Sequence, residues 1–378
     1  MRVIARGAVF AGRPGSGFQS CAFPQVCVLP GGRWMVGFRA APTKASTRGQ
    51  RSLLTWSDDE GRSWSPPVES FIPPPVDGKP GLFRAVALTP LGEERLLAVL
   101  YWVDHSDPAL PFFNETTEGL LDSRIFLARS DDAGATWSKP ERMDTDPFRC
   151  PTAITGPVLV LANGELACQF ETNKHYHDTG PWQHASVLMF SNDGGASWPE
   201  HCVVASDPEK RIFWWDQRPA VLPDGRVLDL FWTYDRQAAA YLNIHARESA
   251  DHGRTWSELW DTGVPGQPAP PVPLADGTLG MVYVDRTAAP VIKMRASPDQ
   301  GRSWPDDSEV VIREASVPSQ TWKKGTMQDA WAEMGKFSVG LPATAVAPNG
   351  DMLVVYYSGP VTDQTDVLWA RLRSGPTP

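Results

Sequence analysis

SDDAGATW, residues 130–137, sets Ser130, Asp132, Gly134 and Trp137 at a spacing that the chain repeats at four other places. These are SDDEGRSW from Ser57, SNDGGASW from Ser191, SADHGRTW from Ser249 and SPDQGRSW from Ser297. A catalytic centre needs different residues converging once, so five copies of one octapeptide argue for scaffold. The residue types agree. Ser and Asp side chains accept backbone N–H groups in tight turns, Gly supplies positive φ, and Trp buries a large flat face. A calcium loop would add a distant bidentate Glu, which none of the five has.

Upstream of the boxes a second pattern recurs. An apolar run ends in a turn, and a run rich in aromatic and β-branched residues follows. The turns are LPGG at 29–32, TPLGEE at 89–94, LANGE at 161–165, LPDGR at 222–226, LADGT at 274–278 and APNGD at 347–351. Asp-Gly and Asn-Gly between apolar runs are strong hairpin signals. A third run then leads into each box. The unit is strand, turn, strand, loop, strand, box, strand. Six such units of four antiparallel strands predict an all-β, six-bladed β-propeller formed by one domain over residues 1–378. The last unit ends after its third strand, so the N-terminal RVIARGAVF is expected to supply its outer strand.

Ser-x-Asp-x-Gly-x-x-Trp resembles the Asp-box, or BNR repeat, of the sialidase superfamily. That resemblance implies that each box is the turn between a blade's third and fourth strands. It also implies a site on the opposite face, at the axis, with an arginine cluster, a Tyr–Glu nucleophile and an Asp acid/base. The chain departs from this pattern twice. Ala22 stands at the first arginine of the motif ahead of Pro24, and Leu341 and its neighbours stand where the nucleophilic Tyr would open the last blade.

Composition narrows the classes. With 36 Pro, 32 Gly and 16 Trp among 378 residues, short strands and many turns are favoured over long helices. A net charge of −9 argues against a broad nucleic-acid or membrane surface. No run is apolar enough for a signal peptide or a bilayer span, so a cytoplasmic location is expected, with a mature secreted form left open. Five cysteines without metal-site spacing read as reduced, buried thiols, and no cofactor is expected. The expected partner is a carbohydrate.

Axial positions supply the candidates. First-strand starts offer Arg84, Arg149, Asp216 and Arg218. Second-strand ends offer Arg39, Asp104, His105, Glu171, Tyr234, Asp235, Arg236, Asp285, Arg286 and Tyr357. Asp216 lies seven residues ahead of Pro223, the offset that the resemblance implies for a catalytic carboxylate. Asp216 is therefore assigned as acid/base, with Glu171 or Asp104 as its partner and Arg218 and Arg84 holding substrate oxygens. Trp214 and Trp215 offer either a sugar-stacking surface or blade packing. In FETNKHYHDTGPWQH, residues 170–184, His175 and His177 with Asp178 form a weaker metal alternative to a solvated loop. Residues 101–118 read as a lid with a Phe112–Phe113 face, and the 305–336 insertion as a short helix or rim segment. A glycoside hydrolase is the expected function, its sugar left open and an acidic one included. A uronate lyase using Tyr234 or His105, or a non-catalytic carbohydrate-binding propeller, are the alternatives.

Overall fold

The computed structural model describes residues 1–152, 156–315 and 326–375. The fold is an all-β propeller whose strands gather into five hydrogen-bonded sheets. Four sheets stand as separate blades. One consists of Gly81–Pro90, Leu96–Asp104, Ser123–Ser130 and Glu141–Arg142. The next three share one departure: the innermost strand is broken into two short pieces, Pro151–Thr152 and Leu159–Val160, Ile212–Trp215 and Ala220–Val221, and Gln267–Pro268 and Val272–Pro273.

The expectation of six separate blades is corrected by the remaining sheet. Val339–Val346, Met352–Val361 and Gln364–Arg373 join Ser20–Val28, Trp34–Ala41 and Arg51–Ser57 in one seven-stranded sheet, linked by a parallel pairing of Ser20 with Thr365. The N-terminal strand Arg2–Phe10 pairs antiparallel along Gln364–Arg373. Sequence periodicity cannot see this merger, because it depends on how the two chain ends meet.

Apolar side chains of successive sheets interdigitate. One cluster sets Val99, Tyr101 and Leu127 against Cys168, Phe170 and Met189. Another unites the two ends of the chain through Val9, Trp34, Phe38, Val355 and Trp369. Burial of such side chains, at ~25 cal/mol per Å² of apolar surface, is what holds sheets that share few hydrogen bonds.

Each box is a turn at the end of a third strand. Ser130 Oγ accepts the Gly134 N–H at 2.9 Å and donates to Asp132 Oδ1 at 2.8 Å. Asp132 in turn accepts the Thr136 N–H at 2.8 Å and its hydroxyl at 2.6 Å. The same bonds recur around Asp59, Asp193, Asp251 and Asp299.

In the 305–336 insertion, a helix spans Met327–Met334, started by a capping box between Thr326 and Asp329. Residues 316–325 of that insertion lie outside the described residues. No helix among the described residues is long and apolar enough to cross a membrane.

Candidate functional site

Irregularities of the innermost strands decide what reaches the axis. Register shifts between Ala22 and Gln25, Phe83 and Ala85, and Gly340 and Ala343 insert extra residues into otherwise regular pairs. The break between Trp215 and Ala220 does the same in a third sheet. A bulge re-aims the side chain it carries. Phe23, Arg84, Asp216 and Leu341 occupy these positions, and all four line one cavity of about 390 Å³. Phe23, Asp216 and Leu341 hold left-handed φ values of 53°, 49° and 42°.

Three carboxylates line the cavity: the exposed Glu115, the half-buried Asp216 and the buried Glu171. Asp216 Oδ2 accepts from Gln267 Nε2, and Gln267 Oε1 accepts from Arg286 Nη1 at 2.9 Å. Glu171 comes from the neighbouring sheet, where Oε1 accepts the Gln217 N–H at 3.3 Å and Oε2 meets His184 Nε2 at 3.3 Å. Burial raises the Glu171 carboxyl above the usual range, the His184 contact opposes this, and the charge of Asp216 adds to it.

Four cations face the same space: Lys44, Arg84, Arg218 and Arg286. Burial lowers the pKa of each; Arg84 falls to about 10, and Arg286 is the next cause of the shift at Lys44. Lys44 Nζ donates to Met334 O at 3.0 Å, to Phe337 O, and to Tyr357 Oη at 3.2 Å. Arg218 is different. Its backbone N–H donates to Asp229 Oδ1 at 2.8 Å, but Nε and Nη1 of its buried guanidinium meet no acceptor among the described residues. A buried cation with idle donors is costly unless a ligand supplies the acceptors.

Aromatic rings form the other wall. Trp215 stacks on Tyr234 at 4.8 Å and 16°. From the rim, Trp331 of the helix stacks on Phe113 at 4.6 Å and 11°, with Trp182 at 6.2 Å. Strand alternation separates the two adjacent tryptophans. Trp215 lines the cavity, whereas Trp214 packs between sheets against Phe231 and His245.

Of the residues singled out in the sequence, Asp216, Glu171, Arg84, Arg218, Arg286, Trp215 and Tyr357 line this cavity. Asp104, His105, Arg39, Tyr234, Asp235, Arg236 and Asp285 do not. Three of these are turn caps at second-strand ends: Asp104 accepts the Ser106 N–H, Asp235 that of Gln237 and Asp285 that of Thr287. Each also faces a cation, Lys79, Arg211 or Lys293. Arg236 pairs with Glu118 at 2.7 Å, and Tyr234 lies behind Trp215. Arg39 sits below the cavity, donating to Gln50 Oε1 at 2.7 Å and to the carbonyls of Thr43 and Ser46, so it holds the loop that carries Lys44. Arg149 is exposed. His177 and Asp178 do not join His175: His177 stands edge-on to Tyr176, and Asp178 accepts the Gly180 N–H at 2.7 Å. His184 is one of the groups that the 170–184 stretch offers, whereas Lys44, Gln267 and the rim rings Trp182, Trp331 and Phe337 are not singled out by the sequence. No local spacing marks them, because they come from segments outside the regular part of the repeat: loops, a broken inner strand and the helix.

The BNR repeat-like domain family matches residues 92–354. The chain belongs to this family. Among solved structures, this BNR-family chain is similar to a protein of unknown function from Dyadobacter fermentans, at TM-score 0.75 and 19% identity over 99% of both chains. It is similar to an intramolecular trans-sialidase from Ruminococcus gnavus, at TM-score 0.62 and 12% identity over 100% of both chains. An α-L-arabinanase from Penicillium chrysogenum aligns at TM-score 0.62 and 14% identity over 99% of both. At these identities the likeness is one of fold. Among curated proteins none matches the chain.

Proposed function

We propose that this BNR-family protein is a glycoside hydrolase acting on an acidic glycoside. The observation that carries the reading is the convergence, in one cavity, of Asp216, Glu171 and the Arg218 guanidinium with idle donors. Hydrolysis of a glycosidic bond needs one carboxyl group to protonate the leaving oxygen and a second to activate water or attack the anomeric carbon. Glu171, whose buried carboxyl favours the protonated form, is the donor; Asp216, oriented by Gln267, is the other group. Arg218, Arg84 and Arg286 take an anionic substituent, and Trp215 and Trp331 face the sugar's apolar surface. The neighbours named as a trans-sialidase and an arabinanase are consistent with a carbohydrate substrate. A lyase working through Tyr234 or His105 has less support, since neither lines the cavity. We also read the five sheets as one domain over residues 1–378.

The test is a panel of aryl glycosides and uronate oligosaccharides, including a sialoside, with Asp216→Asn and Glu171→Gln alongside wild type. Turnover of an acidic glycoside that both substitutions abolish is expected. Turnover untouched by either would remove these carboxylates from the chemistry.

A further inference from the structure

Outside the cavity, three donor atoms from three separate segments meet at one point. His175 Nδ1 is 2.5 Å from Asp122 Oδ1 and 3.0 Å from Cys150 Sγ, and Sγ is 3.6 Å from both Oδ1 and His175 Nε2. Among the described residues, this is the one group of three or more His, Cys, Asp or Glu ligand atoms close enough to hold a metal ion. We propose that Asp122, Cys150 and His175 form a zinc-binding site that fastens the rim of the cavity.

The donor set is the first argument. A thiolate, an imidazole and a carboxylate are ordinary zinc ligands, and the sulfur selects zinc over magnesium or calcium. Zinc at ~2.0 Å from N or O and ~2.3 Å from S requires donor separations of roughly 3.3–3.6 Å. The present cluster reaches these by opening on the order of an ångström. The second argument is arrangement. A nucleophile relay would put the sulfur on one ring nitrogen and the carboxylate on the other. Here both stand nearest the same nitrogen, as donors converging on one ion do. Lys79 Nζ lies 3.8 Å from Asp122 Oδ2, so the outer carboxylate oxygen has its own partner and Oδ1 faces inward. The side chains of His175 and Asp122 are 43% and 28% exposed, which leaves room for water as a fourth ligand.

The third argument is what the site would join. Asp122 ends the loop that carries Phe112, Phe113 and Leu120 into the cavity. His175 belongs to the loop that carries Trp182. The two loops already touch through the Leu120–His175 bridge, and a Cβ on Gly119 would lie 2.2 Å from the His175 carbonyl oxygen. Cys150 immediately precedes Pro151–Thr152, which pairs directly with Glu171 and Thr172. An ion here ties both rim loops to the strand that presents Glu171. Binding displaces the thiol proton to solvent and uses the neutral imidazole lone pair.

The experiment measures zinc by elemental analysis in the purified full chain, then exchanges it for cobalt. Stoichiometric zinc is expected in wild type and in His177→Ala, with loss of bound zinc in Cys150→Ser and His175→Ala. Cobalt should give the charge-transfer absorption of a thiolate ligand, abolished in Cys150→Ser. If a cluster variant fails to fold, the wild-type cobalt spectrum decides. Metal-free wild type that shows no thiolate band on titration with cobalt overturns the proposal, as does zinc retained in full by both Cys150→Ser and His175→Ala.

Discussion

Gln217 donates its backbone N–H to Glu171 Oε1 at 3.3 Å, so the residue next to Asp216 holds a second carboxylate of the cavity. Its side chain crosses the same boundary, donating to Phe170 O at 2.7 Å and Val187 O at 3.0 Å. The innermost strand of one blade thereby fixes the strand end of the next. Asp216 and Glu171 are 45 positions apart in sequence, and their joint placement depends on this seam between two blades rather than on either blade alone.

A seam of this kind makes the state of Glu171 testable by pH. Burial raises its carboxyl, so a proton donor at this position loses activity as pH climbs through that raised value. The His184 contact works the other way, lowering it. His184→Leu is therefore expected to move the basic limb of the kcat/KM profile to higher pH, while Glu171→Gln lowers kcat by about 10²–10⁴-fold. A limb that stays in place in His184→Leu would show that Glu171 is not the group being titrated.

Arg218 should separate recognition from chemistry. Charge-assisted bonds from its idle Nε and Nη1 to a substrate anion, at ~1.5–3 kcal/mol, correspond to roughly 10–100-fold in affinity. Arg218→Met is expected to weaken acidic glycosides by that factor and to leave neutral ones far less changed. Paired KM or Kd measurements on a uronide and its neutral counterpart check this, and equal losses on both would point to a general disturbance of the cavity.

The scaffold was legible in the sequence because it repeats. The box spacing and the Asp-Gly and Asn-Gly turns mark the third and second strands of each unit, and both are where the spacing puts them. The site was legible only where it rides on that repeat. Asp216, Arg218 and Arg84 were found as first-strand starts, Asp216 also by its offset to a turn, and Glu171 and Arg286 as second-strand ends. The same rule also selected Asp104, Asp235 and Asp285, which share a strand-end role as turn caps. Repetition identifies scaffold here as it does in the boxes, and it marks these three aspartates as structural. Lys44 arrives on a loop and Trp331 on a helix whose placement depends on long-range packing, so no periodicity points to them.

That distinction yields a test at Asp104. Its carboxylate accepts from Ser106 and from Lys79 Nζ at 2.9 Å, outside the cavity. Asp104→Asn is expected to leave kcat/KM within about twofold and to cost about 1–2 kcal/mol of stability, the scale of a partly buried charged hydrogen bond. A loss comparable to that of Asp216→Asn would restore Asp104 to the chemistry.

Two tryptophans, one in the core and one at the rim, offer a parallel contrast. Trp214 is buried between sheets, so Trp214→Ala should cost about 3–5 kcal/mol and lower Tm sharply. Trp331 is half-buried at the rim, and Trp331→Ala should lower Tm much less while raising KM, through loss of the stack on Phe113. Calorimetry and saturation kinetics on both variants decide it. A rim variant that melts as early as the core variant would show that the helix is part of the fold's foundation.

The boxes themselves predict how the protein meets acid. Hydrogen bonds from the Ser63 and Thr136 hydroxyls and N–H groups, aided by Ser57 and Ser130, hold the Asp59 and Asp132 carboxyls down at about 2. In an unfolded chain an aspartate titrates near ~3.9. A carboxyl depressed by folding contributes stability that is fully present above its unfolded value and is lost as pH falls through its folded one. Tm should therefore hold steady down to about pH 4 and then fall steeply towards pH 2. Asp132→Asn should lower Tm at pH 6 and flatten the fall between those limits, because the replaced side chain no longer titrates. The double variant with Asp59→Asn should flatten it further. Thermal melts of the three proteins from pH 6 to pH 2 measure this, and parallel curves would mean that the box aspartates are not what acid attacks.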